Sequence, residues 1–394
     1  MGLRVSDRTI IGTINACRSG KGVSGPGLQA EARLERNLAR LTAFVKNAPR
    51  IEINCPTDKI EDFYALLARK IEKIFGYPKD TVKVTLFSSR TYRKTTQFSQ
   101  IRLFDIPWLI LKSYSEKEIG PQLLRALREY DGAKAFREVP GIEAPQVAQV
   151  FAIKGKRLPA YNVVIAETIV SGMPALNYLE LAATRTGPER DKLIEGLRKT
   201  FQKSAQMLAA VHEKSIKNAP LGLEDLLLEM LGLIDLLQQK GVLTDAQGNR
   251  VALCAKRLVR RISNYTPVLS HRDYTSNNLL YHFEADRLGI VDLEKSDVEY
   301  IGKDLAKFTE SLFLDGKSVG LKDEEIKQIN RTFLEAYFDN SKSSRSSIWG
   351  FLHFYQVYTC LSFIRYAHKQ SDERKCQLLL GRIMDLCHAE GKTT

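Results

Sequence analysis

Near residue 168 the hydrophobic pattern passes from mostly strand-like to mostly helical, and that change limits the fold more than any other feature. From Thr81 onward, apolar and β-branched residues cluster in short runs at 82–87, 97–104 and 108–114, separated by brief polar stretches. Three such runs in succession predict an antiparallel meander. A helical spacing follows at 120–138, and two more strand-like runs stand at 147–152 and 162–168, giving the order β-β-β-α-β-β. Beyond Thr168 the apolar positions recur at helical intervals, over 187–214, 223–240, 255–263, 322–338, 346–368 and 371–388. With 394 residues the chain also exceeds the ~250–300 at which one hydrophobic core stops growing. The expectation is an α+β protein with a small antiparallel sheet in one lobe and a larger, mainly helical second lobe.

Residues 1–80 read as an N-terminal extension, partly helical. A Gly/Ser-rich stretch at 19–27 precedes helical patterns at 28–46 and 59–75. Gly20-Lys21 is not a P-loop, because Asn15 stands where the first glycine is required. The domain expectation is therefore 1–80 as extension, 81–166 as the β-rich lobe and 167–394 as the helical lobe. Within the latter, 223–240 is apolar on nearly all sides and predicts a buried helix, while His353, Gln356 and Arg365 predict a partly exposed helix over 351–367.

Several classes are excluded by composition. The 59 Lys and Arg exceed the 46 Asp and Glu by 13, but they are scattered, so no nucleic-acid-binding arm is indicated. No run of ~18 apolar residues predicts a membrane span. Six cysteines, Cys17, Cys55, Cys254, Cys360, Cys376 and Cys387, form no C-x-x-C pair, which fits reduced thiols in a cytoplasm and no zinc site.

The chemistry concentrates at Ser270-His271-Arg272-Asp273-Tyr274-Thr275-Ser276-Asn277-Asn278, which fits H-R-D-x-x-x-x-N. Fourteen residues past Asn278, Asp292-Leu293-Glu294 follows an apolar run, and strand-like segments at 279–283 and 287–291 predict a hairpin that brings Asn278 and Asp292 together. Phosphoryl transfer needs a group that receives the hydroxyl proton and hard oxygen ligands for the metal on the phosphates. Asp273 suits the first task. Asn278, Asp292 and, as an additional ligand, Glu294 suit the second, with Mg2+ as the metal.

These motifs resemble the protein-kinase-like superfamily and, within it, the aminoglycoside phosphotransferase family together with choline kinase. Met207 to His212 is similar to the helix end that precedes the family's catalytic loop, and Asp304-Leu305-Ala306 to its later helix opening. The resemblance implies a bilobal fold and an ATP- and magnesium-dependent transfer to a hydroxyl of a small molecule, with GTP as an alternative donor. It assigns the phosphate lysine to Lys112, its helix partner to Glu129 over Glu118 and Glu138, the polar first loop to Ser88 and Ser89, and the adenine hinge to the stretch holding Glu167 and Ile169. His212 and His271 are expected to be structural, and Asp304 to open a helix and brace the loop. The short stretch from Asp292 to Asp304 leaves no room for a long activation segment. Glu224, Asp225, Glu229 and Asp235 are candidates for receiving a cationic acceptor, against the simpler reading of a solvated acidic face. The rival readings are a lipopolysaccharide-core or protein kinase and a nucleotide-binding pseudokinase scaffold; neither the acceptor nor the oligomeric state follows from the sequence.

Overall fold

The structure is a computed structural model that describes residues 50–55, 60–86, 96–103, 106–114, 119–155, 162–216, 222–262 and 267–392. The segment 19–27, the helix expected over 28–46, and Ser88, Ser89 and Glu118 lie outside the described residues. The chain divides into two compact units, and the fold is α+β as expected. The first unit gathers residues up to Lys134, Ala144–Val170 and Leu293–Lys295; the second holds Ala135–Glu143, Ser171–Asp292 and Ser296–Thr394.

The first unit is built on a six-stranded sheet. Its strands are β1 (Arg50–Cys55), β2 (Val82–Leu86), β3 (Thr96–Leu103), β4 (Ile106–Tyr114), β6 (Val147–Gly155) and β7 (Asn162–Thr168), in the order β1-β6-β7-β4-β3-β2. The meander β2-β3-β4 is antiparallel. One strand is new: β1 lies in the segment read as an extension and pairs in parallel with β6, Arg50 opposite Val150. Side chains alternate across a strand, and each face of this sheet has its own helix. Leu109 and Leu111 of β4 and Ala166 of β7 pack with Leu67 and Ile71 of α1 (Ile60–Phe75). Tyr114 and Ile165, of the opposite parity, pack with Ala126 and Leu127 of α2 (Ile119–Arg137). Lys112 shares its parity with Tyr114.

The second unit opens with β5 (Ile142–Glu143), β8 (Met173–Pro174), α3 (Ala175–Thr184) and α4 (Gly187–Lys214). Then come α5 (Leu223–Gln239), α6 (Asp245–Arg261), β9 (Pro267–Ser270), the hairpin β10 (Leu279–His282) and β11 (Arg287–Ile290), and β12 (Asp297–Tyr300). The helices α7 (Lys303–Val319), α8 (Asp323–Asn340), α9 (Arg345–Lys369) and α10 (Glu373–Lys392) complete it. Four strands form a sheet ordered β5-β11-β10-β8, and β9 pairs antiparallel with β12.

Two helical expectations need correction, and in a third, the partly exposed α9, one residue read as marking exposure does not. The helix predicted from 255 begins ten residues earlier, because Thr244 and Gln247 form a capping box in which the threonine hydroxyl accepts from Gln247 N–H and the Gln247 side chain accepts from Thr244 N–H. The leucine-rich α5 is not buried all round: Leu226, Met230, Leu233, Ile234 and Leu237 form one buried stripe, whereas Leu228 is 65% exposed. Gln356 of α9 does not mark an exposed face. It is buried and donates to Glu310 Oε1 at 2.8 Å, and Arg382 of α10 completes that node by grasping both Glu310 oxygens at 2.9 Å. A buried carboxylate requires such a partner.

Candidate functional site

In the first unit, Lys112 Nζ lies 2.7 Å from Glu129 Oε1 and 3.0 Å from Glu167 Oε1, with all three side chains almost wholly buried. The chain reaches this arrangement by parity. Glu129 falls on the buried stripe of α2 with Gln122, Ala126 and Ala133, spaced i, i+4, i+7 and i+11. Glu167 is paired directly with Ile110, one same-face step from Lys112, so it is the lysine's diagonal neighbour across β4 and β7. The side chain of Glu167 is thus an ion-pair partner, a role that the hinge assignment missed and the strand register could have found. Ile169, just past β7, is exposed. Glu294 is buried with Oε1 at 3.6 Å from Arg125 Nη1, so its carboxylate already faces a cation. Glu138, the rival to Glu129, is exposed and belongs to the second unit.

In the second unit, the loop between β9 and β10 is held mainly through its backbone. Asp304, in the first turn of α7, is fully buried; its Oδ2 accepts from His271 N–H at 2.8 Å and its Oδ1 from Arg272 N–H at 2.7 Å. These two bonds fix Arg272 at φ 65°, a left-handed conformation that a non-glycine residue rarely adopts. His212 Nε2 stands 3.3 Å from the same Oδ2, and its Nδ1 is 2.6 Å from the Tyr337 hydroxyl. Burial opposes ionisation of Asp304, but the hydrogen bond and charge of His212 and the backbone N–H of His271 hold its carboxyl below the usual range. The turn into α7 needs Gly302 at φ 104°, where a Cβ would stand 2.9 Å from Phe351 Cβ.

His271 ties this loop to the hairpin's far end. Its Nδ1 accepts from Asp273 N–H at 3.3 Å, and its Nε2 therefore carries the proton donated to the Val291 carbonyl at 3.0 Å. Asn278 and Asp292 flank the open end of the hairpin: Leu279 pairs with Ile290, and Val291 N–H donates to the Asn278 carbonyl at 3.1 Å. Asp292, like Arg272, has φ 65°. Asn278 Nδ2 donates to the Asp273 carbonyl at 2.8 Å, which assigns the amide nitrogen and leaves Oδ1 as the acceptor end. Tyr274 anchors the residue after Asp273 by donating to the Ser204 carbonyl at 2.9 Å, beside the stacked rings of Phe308 and Phe333.

Two features escaped the sequence reading. The buried Asp273 carboxylate has Lys307 Nζ at 3.1 Å from Oδ1. Arg272 pairs with acids of β12, Nε to Glu299 Oε1 at 3.1 Å and Nη1 to Asp297 Oδ2 at 3.8 Å. The antiparallel register, Ser270 opposite Asp297, was the signal for the latter. Of the acidic residues on α5, all four are exposed, and Glu229 accepts from the Tyr358 hydroxyl.

As a donor set for magnesium, an amide oxygen at Asn278 and a carboxylate at Asp292 fit: that ion takes one or two side-chain oxygens and fills the rest of its shell with phosphates and water. Among the described residues, no group of three or more His, Cys, Asp or Glu could hold a metal, and no helix is long and apolar enough to cross a membrane.

A braced H-R-D loop followed by a hairpin ending in an aspartate, and a meander sheet that buries a lysine against a helix glutamate, are features of a protein-kinase-like fold. The chain matches the phosphotransferase enzyme family over residues 187–338, less than half of its length. Its fold is similar to that of a thermostable mutant of aminoglycoside phosphotransferase APH(4)-Ia in ternary complex with AMP-PNP and hygromycin B, at 11% identity over 82% of this chain and 98% of that one, TM-score 0.54. It is similar also to glucosamine kinase in complex with glucosamine, ADP and inorganic phosphate, at 15% identity over 84% of each chain, TM-score 0.51. The GDP and kanamycin complex of APH(2")-IIia matches at 12% identity over 81% of this chain and 98% of that one, TM-score 0.52. No curated protein sequence matches the chain.

Proposed function

We propose that this enzyme transfers the terminal phosphate of a purine nucleoside triphosphate to a hydroxyl of a small molecule, with Asp273 receiving the hydroxyl proton. The observation that carries this reading is the double restraint on the Asp273 segment, by Asp304 on the backbone before it and by Asn278 on its carbonyl. A catalysis that depends on positioning requires a base that does not wander. Lys112, held between Glu129 and Glu167, supplies the cation for the donor's phosphates. Asn278 and Asp292, with Glu294 as an additional ligand, would hold magnesium, which when bound neutralises charge on the phosphates. Ser88 and Ser89 are assigned to the phosphates and the 167–169 stretch to the base by resemblance alone.

Small molecules are favoured as acceptors because glucosamine kinase and the aminoglycoside phosphotransferases share this fold, and because Arg272 already has Glu299 and Asp297 as counter-anions. The loop therefore needs no phosphorylated activation segment to satisfy that arginine. The test is ADP or GDP release from the magnesium nucleotide with a panel of aminosugars and aminoglycosides. Acceptor-stimulated release that disappears in Asp273→Asn supports the reading, and nucleotide binding without any release refutes it.

A further inference from the structure

Lys307 lies on α7 one turn past Asp304, so the two side chains share a face of the helix. Asp304 reaches the backbone of His271 and Arg272, and Lys307 reaches the carboxylate of Asp273 at 3.1 Å. The lysine ammonium also lies 4.4 Å from the centroid of the Phe363 ring, on α9. An ammonium placed between a ring face and a buried carboxylate has few other positions open to it.

Two hydrogen bonds act on the main chain of Asp273: its N–H donates to His271, and its carbonyl accepts from Asn278. Those bonds fix the Cα but leave rotation about the side-chain torsions. The ion pair with Lys307 acts on the carboxylate itself. We propose that Lys307 is a positioning residue of the transfer, which fixes the rotamer in which Asp273 meets the acceptor hydroxyl. This inference rests on the phosphotransfer reading above. In that reaction the acceptor O–H bond breaks, its proton passes to Asp273, the oxygen bonds to the terminal phosphorus, and the bridging P–O bond breaks with its electrons leaving on the nucleoside diphosphate. Lys307 keeps its protons throughout. The first turn of α7 thereby sets both the backbone and the side chain of the base.

The experiment compares the full chain with Lys307→Met, Lys307→Arg and Asp273→Asn, reading ADP release from magnesium-ATP with kanamycin, glucosamine or water alone as acceptor, whichever gives the highest wild-type rate. Methionine preserves the stem over Phe363 and removes the charge. The expected result is a kcat lowered roughly 10- to 100-fold in Lys307→Met, a KM for ATP within about threefold of wild type, an unchanged thermal midpoint, and recovery of most of kcat in Lys307→Arg. A wild-type kcat in Lys307→Met, or a loss in both lysine variants that follows a fallen thermal midpoint, overturns the role of Lys307 alone. Release that survives in Asp273→Asn, or is absent from the wild type, overturns the phosphotransfer reading instead.

Discussion

The buried charges of the two units are built in opposite ways. In the first unit a cation, Lys112, faces two carboxylates, and both ion pairs run between side chains on regular elements. In the second a carboxylate, Asp304, is enclosed by two backbone N–H groups and a histidine, and it stabilises a left-handed residue. Side-chain clusters follow from strand and helix parity; backbone clusters depend on turns whose conformations no periodicity encodes.

That contrast can be broken or sharpened by substitution. The largest effect is expected at Asp273→Asn, a loss of about 10²–10⁴ in kcat with little change in the unfolding midpoint, read by coupled ADP release. A parallel Lys112→Met leaves Glu129 and Glu167 buried together without their cation, and a destabilisation of about 3–5 kcal/mol in urea titration is expected. Glu129→Gln, which removes one charge and leaves the lysine paired with Glu167, should cost less; equal costs would mean that the cluster is not organised around the lysine.

Asp304→Asn tests the backbone type. Because its folded carboxyl is held below its usual range, Asp304 contributes stability that is complete above the unfolded value, about 3.9, and is lost as pH falls through the folded one. Unfolding free energies measured from pH 6 down to 2.5 should therefore decline less steeply in Asp304→Asn than in wild type, and parallel declines would exclude the ion pair as the cause. Gly302→Ala should cost about 1–3 kcal/mol, from its positive φ and the approach of Phe351. The smallest effect is expected at Glu299→Gln: Arg272 is partly exposed and keeps Asp297, so a change of ~1 kcal/mol or less in the denaturation midpoint is expected.

The same distinction explains what could be read beforehand. Strands and helices with their own periodicity were legible: 187–214 and 162–168 coincide with α4 and β7, and the 279–291 hairpin follows from two apolar runs and a polar turn. The pairing of Lys112 with Glu129 was legible only through the family resemblance, laid on the β-β-β-α order. Strand β1 was not, because its partner lies about a hundred residues downstream and six residues carry no record of a distant parallel neighbour. Lys307 was missed because nothing near Asp273 in sequence points to a cation 34 positions later. The start of α6 was hidden by Gly248 and Asn249, although Thr244 to Gln247 carried the capping signal.

The grip of Arg382 on Glu310 has a practical consequence for anyone trimming this enzyme. Glu310 sits one turn beyond Lys307, and its guanidinium partner comes from α10, at the far end of the described chain. A truncation before residue 382 would strand a negative charge in an apolar layer of the helix that also carries Asp304 and Lys307. Shortened versions should then lose turnover with every residue of the Asp304–Lys307 face intact.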